Sequence, residues 1–116
     1  MEYLETSLFI QQKVEVSSMD DLKLLGDSLL SGLDSGIGVL GMIDGEKPGM
    51  VIVVTPDLVK KKINAGSLAQ SIGSVMGGGG GGKPHLATAG GKDVSKLGKA
   101  LEESHKIVHK LIKNFS

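Results

Sequence analysis

The sequence contains no cysteine, no arginine and no tryptophan, and its aromatic residues are limited to Tyr3, Phe9 and Phe115. Without cysteine there is no disulfide framework and no thiolate metal site, so a reducing, cytoplasmic setting is the default expectation. Without arginine the bidentate fork that reads base edges and carboxylates is missing. All thirteen cations are lysines, which meet phosphates as point charges. Three aromatics are too few to stack successive bases, which is how single-strand binders hold their ligands, so a structured RNA met through its backbone and shape is the more compatible nucleic acid. No apolar run approaches the ~20 residues of a membrane helix. The start, Met1-Glu2-Tyr3-Leu4-Glu5, is acidic where a secretory signal is basic, and no membrane partner is expected. No nucleophile elbow or isolated carboxylate pair is present to suggest hydrolytic chemistry.

Glycine and lysine are what the chain has in abundance. Its 116 residues suffice for one domain with its own core. A formal net charge of zero hides an asymmetry. Residues 1–57 carry ten acids and three lysines, a net of −7, whereas residues 58–116 carry ten lysines and three acids, a net of +7, together with His85, His105 and His109. A split this clean predicts a basic face suited to a polyanion.

The pattern along the chain predicts an α/β fold, a single mixed β-sheet packed with helices in the order β-α-β-β-α-(α)-Gly loop-β-α, spanning residues 1–116 as one globular domain. Residues 5–16 read as a strand, with Leu8, Ile10, Val14 and Val16 in partial alternation. Ser18 followed by Asp20 and Asp21 marks a helix start; Leu22, Leu25, Leu29 and Leu33, widened by Leu24 and Leu30, form its expected apolar stripe, ending near Gly32. Residues 37–43 and 50–54 read as buried strands joined by a hairpin loop of about five residues through Asp44-Gly45 and Pro48-Gly49. Pro56 suits a first helical turn, leading to Lys60, Lys61 and Lys62. Asn64-Ala65-Gly66 interrupts, residues 67–76 read as a helix, and residues 85–89 as a short strand. From Asp93 to Asn114 runs the longest element, with Val94, Leu97, Leu101, Val108, Leu111 and Phe115 on one seam broken only by Ser104, and Lys96, Lys99, Lys106, Lys110 and Lys113 opposite.

Between those helices lie Gly77, Gly78, Gly79, Gly80, Gly81 and Gly82, then Lys83, Pro84 and His85. Each glycine loses the most backbone entropy on ordering and packs no side chain, so a strand interior is not expected; a structured turn is. Three explanations compete: a flexible linker, backbones packed too closely for Cβ atoms, or a cradle of N–H groups facing an anion. Context disfavours the linker, because a long amphipathic helix that must dock follows the run, and the run lacks the usual serine or glutamate dilution. Gly77 to Lys83 satisfies GxxxxGK, but Pro84 stands where a phosphate loop needs Ser or Thr, and helix rather than strand precedes it. GxGxxG is met only because every position is glycine, so nucleotide binding is not expected. His105 and His109 lie four apart without the third or fourth ligand zinc requires, and read as solvated histidines beside a basic face.

The segments Ala65-Gly66-Ser67-Leu68 and Gly77-Gly78-Gly79-Gly80-Gly81-Gly82-Lys83-Pro84-His85-Leu86-Ala87-Thr88-Ala89-Gly90-Gly91-Lys92-Asp93 resemble the C-terminal domain of the alanyl-tRNA synthetases, a member of the DHH-associated family that also occurs in DHH phosphoesterases. The likeness is dense over residues 64–103. One departure is His85, where the synthetases often carry an acid. The resemblance implies a tRNA-binding domain that contacts the elbow of tRNA-Ala, links aminoacylation with editing in translation, and contributes to self-association. It implies a non-catalytic C-terminal fragment of an alanine-tRNA ligase, with no cofactor of its own; ATP, Mg and Zn would belong to the parent enzyme, and the partners would be tRNA-Ala, the other synthetase domains and a second copy. The expected nucleic-acid-binding residues are Gly77 through Gly82, Lys83, His85, Lys92, Lys60, Lys61, Lys62, Lys96 and Lys99. The alternatives are the substrate-binding lobe of a DHH-type phosphoesterase and a dimerisation module.

Overall fold

Residues 37–43 and 50–54 are apolar at nearly every position, as strands covered on both faces must be, and they form the centre of the sheet. The computed structural model describes residues 2–4, 7–16, 18–45 and 47–114. Its strands are β1 (Glu2–Leu4), β2 (Ser7–Lys13), β3 (Gly36–Asp44), β4 (Lys47–Val54), β5 (Gly79–Gly82) and β6 (Leu86–Gly90), in the spatial order β1-β2-β3-β4-β6-β5. The β2–β3 pair is parallel and bridged by helix α1 (Met19–Gly32); the other pairs are antiparallel. The sheet is mixed and the class is α/β, as expected.

Helices α2 (Pro56–Lys60), α3 (Ala65–Val75) and α4 (Leu97–Asn114) share one face with Phe9, Ile37, Val39, Met50, Ile52, Val54, Ala87 and Ala89. A 3-10 turn, Val94–Lys96, capped by Asp93, leads into α4. The opposite face carries α1, whose Leu22 is buried with Leu40, Met42 and Val51. Each fully buried leucine or valine contributes about 1.5–3 kcal/mol relative to exposure.

Local chemistry explains the helix starts. Ser18 accepts from the Asp21 N–H at 3.1 Å. Asn64, expected to interrupt, instead caps α3 by accepting from the Ser67 N–H at 3.2 Å, so that helix begins at Ala65. Thr55, fully buried, does not cap α2; its Oγ1 accepts from the Gly36 N–H at 2.9 Å and donates to Asp57. Ser104, expected to break the seam of α4, is buried within it. Its hydroxyl donates to the Leu101 carbonyl at 2.6 Å and accepts from Gln11 of β2, so burial leaves no orphaned group. Phe115 lies outside the described residues.

Several expectations are corrected. The strand expected over residues 5–16 is the shorter β2, Ser7–Lys13, and an unexpected strand, β1, precedes it at Glu2–Leu4. Asp44 pairs with Lys47, so the β3–β4 hairpin has a two-residue turn rather than about five, with Gly45 at φ +64°. Pro48 falls inside β4, just beyond the last β6 partner, where its missing N–H breaks no β6 ladder bond. On α1 the packed stripe runs through Met19, Leu22, Gly26 and Leu29, while Leu24 and Leu25 are 65% and 39% exposed. Gly26 takes the helix so close to β4 that an added Cβ would meet Val51 at 3.1 Å. His105 is half-buried rather than solvated, edge-on to the Phe9 ring at 5.6 Å and stacked on His109.

The largest correction concerns the glycines. Gly79–Gly82 are strand β5, paired along their whole length with β6. The strand survives without side chains because α3 lies directly on it. An added Cβ at Gly80 would stand 2.4 Å from the Ala69 carbonyl oxygen, and one at Gly73 of α3 would stand 2.5 Å from Gly79. Close packing therefore accounts for Gly80, and also for Gly78, where a Cβ would meet the Gly90 oxygen at 2.1 Å. Gly79 and Gly81 meet nothing within 4 Å.

Gly80→Ala should destabilise the fold by about 1–3 kcal/mol through overpacking, whereas Gly81→Ala should be neutral or gain up to about 1 kcal/mol from reduced unfolded-state entropy; urea denaturation of both variants checks the contrast. Burial raises the Asp57 carboxyl, but hydrogen bonds from Ser35, Thr55 and the Leu58 N–H outweigh it and hold the group below its ordinary 3.8. A depressed folded-state value gives stability that is present above the unfolded value and lost as pH falls through the folded one. Asp57→Asn should therefore be less stable than the native chain at pH 7, with the difference shrinking as pH falls below about 3.8. Urea midpoints measured across that pH range check it.

Candidate nucleic-acid interface

Strand alternation turns the glycine strand into a surface. Gly80 and Gly82 pair with Ala89 and Ala87, both core residues beneath α3. Gly79 and Gly81, paired with Gly90 and Thr88, must then face the α1 side. α1 covers the sheet centre, so this end of that face stays open, with glycine along β5 and Leu86 and Thr88 along β6.

Two cavities of about 350 Å³ each lie along this floor. Met19 of α1 lines one, and Lys23 and Asp27 line the other. The four-residue steps place all three on one stripe of the helix, so the cavities run end to end between α1 and the β5–β6 hairpin. Lys47 and Lys92 stand at the first cavity, and Lys23, Lys83 and His85 at the second. Lys83 and Lys92 follow β5 and β6 respectively, and the hairpin between them is about 13–17 Å long. The groove thus has a glycine-rich floor and lysines at both ends.

The backbone holding these cations is fixed. Lys83 donates to the Leu86 carbonyl at 3.0 Å, closing a two-residue turn of Pro84 and His85. The Pro84 and His85 carbonyls accept from Ala65 at 2.8 Å and Val54 at 3.0 Å, tying the turn to α3 and β4. Lys92 donates to the Met76 carbonyl at 3.1 Å and Gly91 to the Pro48 carbonyl at 3.2 Å. The side chains of Lys83, His85 and Lys92 are exposed, so hydrogen-bonded backbone carries two solvent-facing lysines and an imidazole.

The predicted site residues fall into two groups. Gly78, Gly81, Gly82, Lys83, His85 and Lys92 line the groove, with Gly79 and Gly80 in the strand between. Gly77, at φ +76°, is spent on the end of α3, where Gly78 and Gly77 donate to Gly73 and Ser74 in a Schellman motif. Lys60, Lys61, Lys62, Lys96 and Lys99 are exposed but line neither cavity; they belong to α2, α4 and their flanks on the other face. The lysine triplet closes α2. Ile63 donates to Leu58 and Lys62 to Val59, the same Schellman pattern, with Lys62 at φ 71° where α3 uses glycine. The composition pattern missed Lys23, Lys47, Asp27 and Thr88, three of them from the acidic half; nothing local marks them. Among the described residues no three metal-ligating side chains converge.

The fold and groove define an α/β domain with a lysine-flanked, glycine-rich cleft. The chain belongs to the DHHA1 domain family, whose model matches residues 7–110. It is 43% identical over 90 residues to the alanine–tRNA ligase of Geobacillus thermodenitrificans, covering 78% of this chain and 10% of that protein. To the alanine–tRNA ligase of Lactiplantibacillus plantarum it is 45% identical over 96 residues, covering 83% and 11%. The chain thus spans about a tenth of the length of these curated relatives. The crystal structure of the C-Ala domain from Aquifex aeolicus alanyl-tRNA synthetase superposes with a TM-score of 0.79 at 26% identity, covering 96% of each chain. The resemblance carried by the glycine segment is borne out.

Lys62 tests whether the triplet's backbone serves structure. A left-handed lysine costs about 1 kcal/mol that glycine avoids, so Lys62→Gly should raise unfolding stability by somewhat less than that, glycine's own chain entropy offsetting part. Thermal or urea unfolding checks the sign.

Proposed function

We propose that this chain is the tRNA-binding accessory domain of an alanyl-tRNA synthetase, non-catalytic by itself, and that the groove between α1 and the glycine hairpin takes the backbone of tRNA-Ala. The observation that carries this is a groove whose β5 side is glycine, with Leu86 and Thr88 of β6 beside it, and with lysines at both ends, Lys23 and Lys83 at one and Lys47 and Lys92 at the other. The glycine strand lets a bulky backbone approach closely, and the lysine ammonium groups neutralise its phosphates. The likeness to the C-Ala domain and to alanine–tRNA ligases supports tRNA-Ala as the RNA. Contact at the tRNA elbow and the coupling of aminoacylation to editing belong to the same proposal, as do a cytoplasmic setting and a parent enzyme that supplies the ATP, Mg and Zn chemistry. Self-association is a separate matter, because the close glycine packing is satisfied within one chain by α3 against β5.

Salt titration of tRNA-Ala affinity tests the proposal. Removing one lysine–phosphate interaction should flatten the slope of log affinity against log salt by ~0.7–0.9. Lys83→Ala and Lys92→Ala should each do so, while Lys110→Ala, on the outer side of α4, should not. Lys62→Ala and Lys99→Ala decide whether the RNA also reaches the α3 face. Unchanged affinity and slope for both Lys83→Ala and Lys92→Ala would sink the groove as the site.

A further inference from the structure

We propose that Asp27 is the residue by which this groove tells RNA from DNA, its carboxylate accepting a hydrogen bond from a ribose 2′-hydroxyl. The proposal rests on the groove being an RNA site. Asp27 lines the same cavity as Lys23, Lys83 and His85 and stands one helical turn from Lys23. A carboxylate among phosphate-binding cations is a liability unless it meets a donor, since it repels the phosphates the lysines attract. Among the described residues, the structure gives it no donor. Its backbone carbonyl accepts from Ser31 at 3.0 Å, but no ion pair or hydrogen bond among those residues engages its carboxylate, and the Lys23 ammonium is also unpaired there. An ionised carboxylate only accepts, and where a bound RNA displaces the water around this exposed side chain, the ligand can supply the donor.

The ligand's chemistry narrows that partner. Phosphate and ring oxygens of a nucleic-acid backbone only accept. The backbone's one donor is the 2′-hydroxyl, which RNA has and DNA lacks. In a groove whose lysines hold phosphates, the sugar is the neighbouring group, within reach of an acid one turn along the helix. RNA then gains a charge-assisted hydrogen bond where DNA meets an unpaired carboxylate, so one side chain both attracts and rejects.

The experiment measures affinities of the intact chain for a tRNA-Ala transcript, the DNA of identical sequence, and the transcript with 2′-O-methyl riboses. Asp27 is exposed, so its variants should fold. Asp27→Ala is expected to raise affinity for DNA while leaving or lowering that for RNA, so that the RNA preference falls about tenfold, the size of a lost hydrogen bond to a charged acceptor. Asp27→Asn should fall between. Asp34→Ala, removing an equal exposed charge outside both cavities, should move both affinities by one factor and leave the ratio alone. Two results would overturn the proposal. Equal strengthening of RNA and DNA binding by Asp27→Ala makes Asp27 a plain repulsive charge. An effect that persists undiminished on the 2′-O-methyl ligand assigns the carboxylate to a base amine. Failure of the native chain to bind tRNA-Ala would instead dismiss the groove itself, a separate outcome.

Discussion

The structure depends on one contact between two stretches of bare backbone. α3 presents Gly66, Ala69 and Gly73, a stripe of small residues at helical spacing, to β5, whose Gly80 and Gly82 have no Cβ to answer with. A Cβ at Gly66 would stand 3.0 Å from the Gly82 oxygen, one at Gly80 2.4 Å from the Ala69 oxygen, and one at Gly73 2.5 Å from Gly79. Such an approach puts dispersion from many backbone atoms in place of side-chain interdigitation. It also explains how four glycines stay extended, since β6 fixes one side of the strand and α3 its face. The entropy that glycine loses on ordering is offset by contacts that no larger residue could make.

The same contact produces the groove. A strand has two faces, and close packing requires glycine only on the one turned to α3. Gly79 and Gly81 face the other way with nothing within 4 Å. Packing does not account for these two, and they form the exposed floor. The helix that demands tight packing on one face is thus set against an open face whose emptiness has no internal use. Schellman motifs at the C-termini of α2 and α3 fix the geometry further: Gly77 turns the chain into β5, and the Pro84–His85 turn is tied by its carbonyls to β4 and α3. Lys83 and Lys92 accordingly stand on backbone that has little freedom to lose on binding, which favours affinity.

What was legible in the sequence was local. Ser18 announced α1 through its own side chain, and Pro56 marked the first turn of α2. The apolar runs of β3 and β4 declared a strand pair buried on both faces. The glycine strand was illegible for a physical reason: alternation of side chains is the mark of a strand, and glycine has none to alternate. Gly45 suits the first central position of a two-residue hairpin turn, but Asp44-Gly45 and Pro48-Gly49 together suggested a longer loop, because only the short reach of β6 shows that Pro48 sits harmlessly in β4. Leu24 and Leu25 looked like core because the packing position was taken by Gly26, which is invisible to any hydrophobic pattern. Lys83, His85 and Lys92 could be nominated from the glycine segment they flank. Lys23, Lys47 and Asp27 could not, since α1 and the β3–β4 hairpin meet them only through the sheet.

The charge split illustrates the same limit. Residues 58–116 hold the positive balance, and the sheet keeps that division, with β1 to β4 drawn from the acidic half and β6 and β5 from the basic one. The groove, however, lies on the boundary, with two lysines from each half at its corners. Exposed lysines of α4, one of them paired with Glu103 at 3.6 Å, lie on the other face of the sheet; such pairs contribute little and are screened by salt. A basic half is therefore not a basic site. Phosphates are attracted by the summed field at long range, but they are positioned by the few cations that the fold holds at fixed points. In the proposed groove those points lie at the ends of a hairpin whose β5 strand is all glycine.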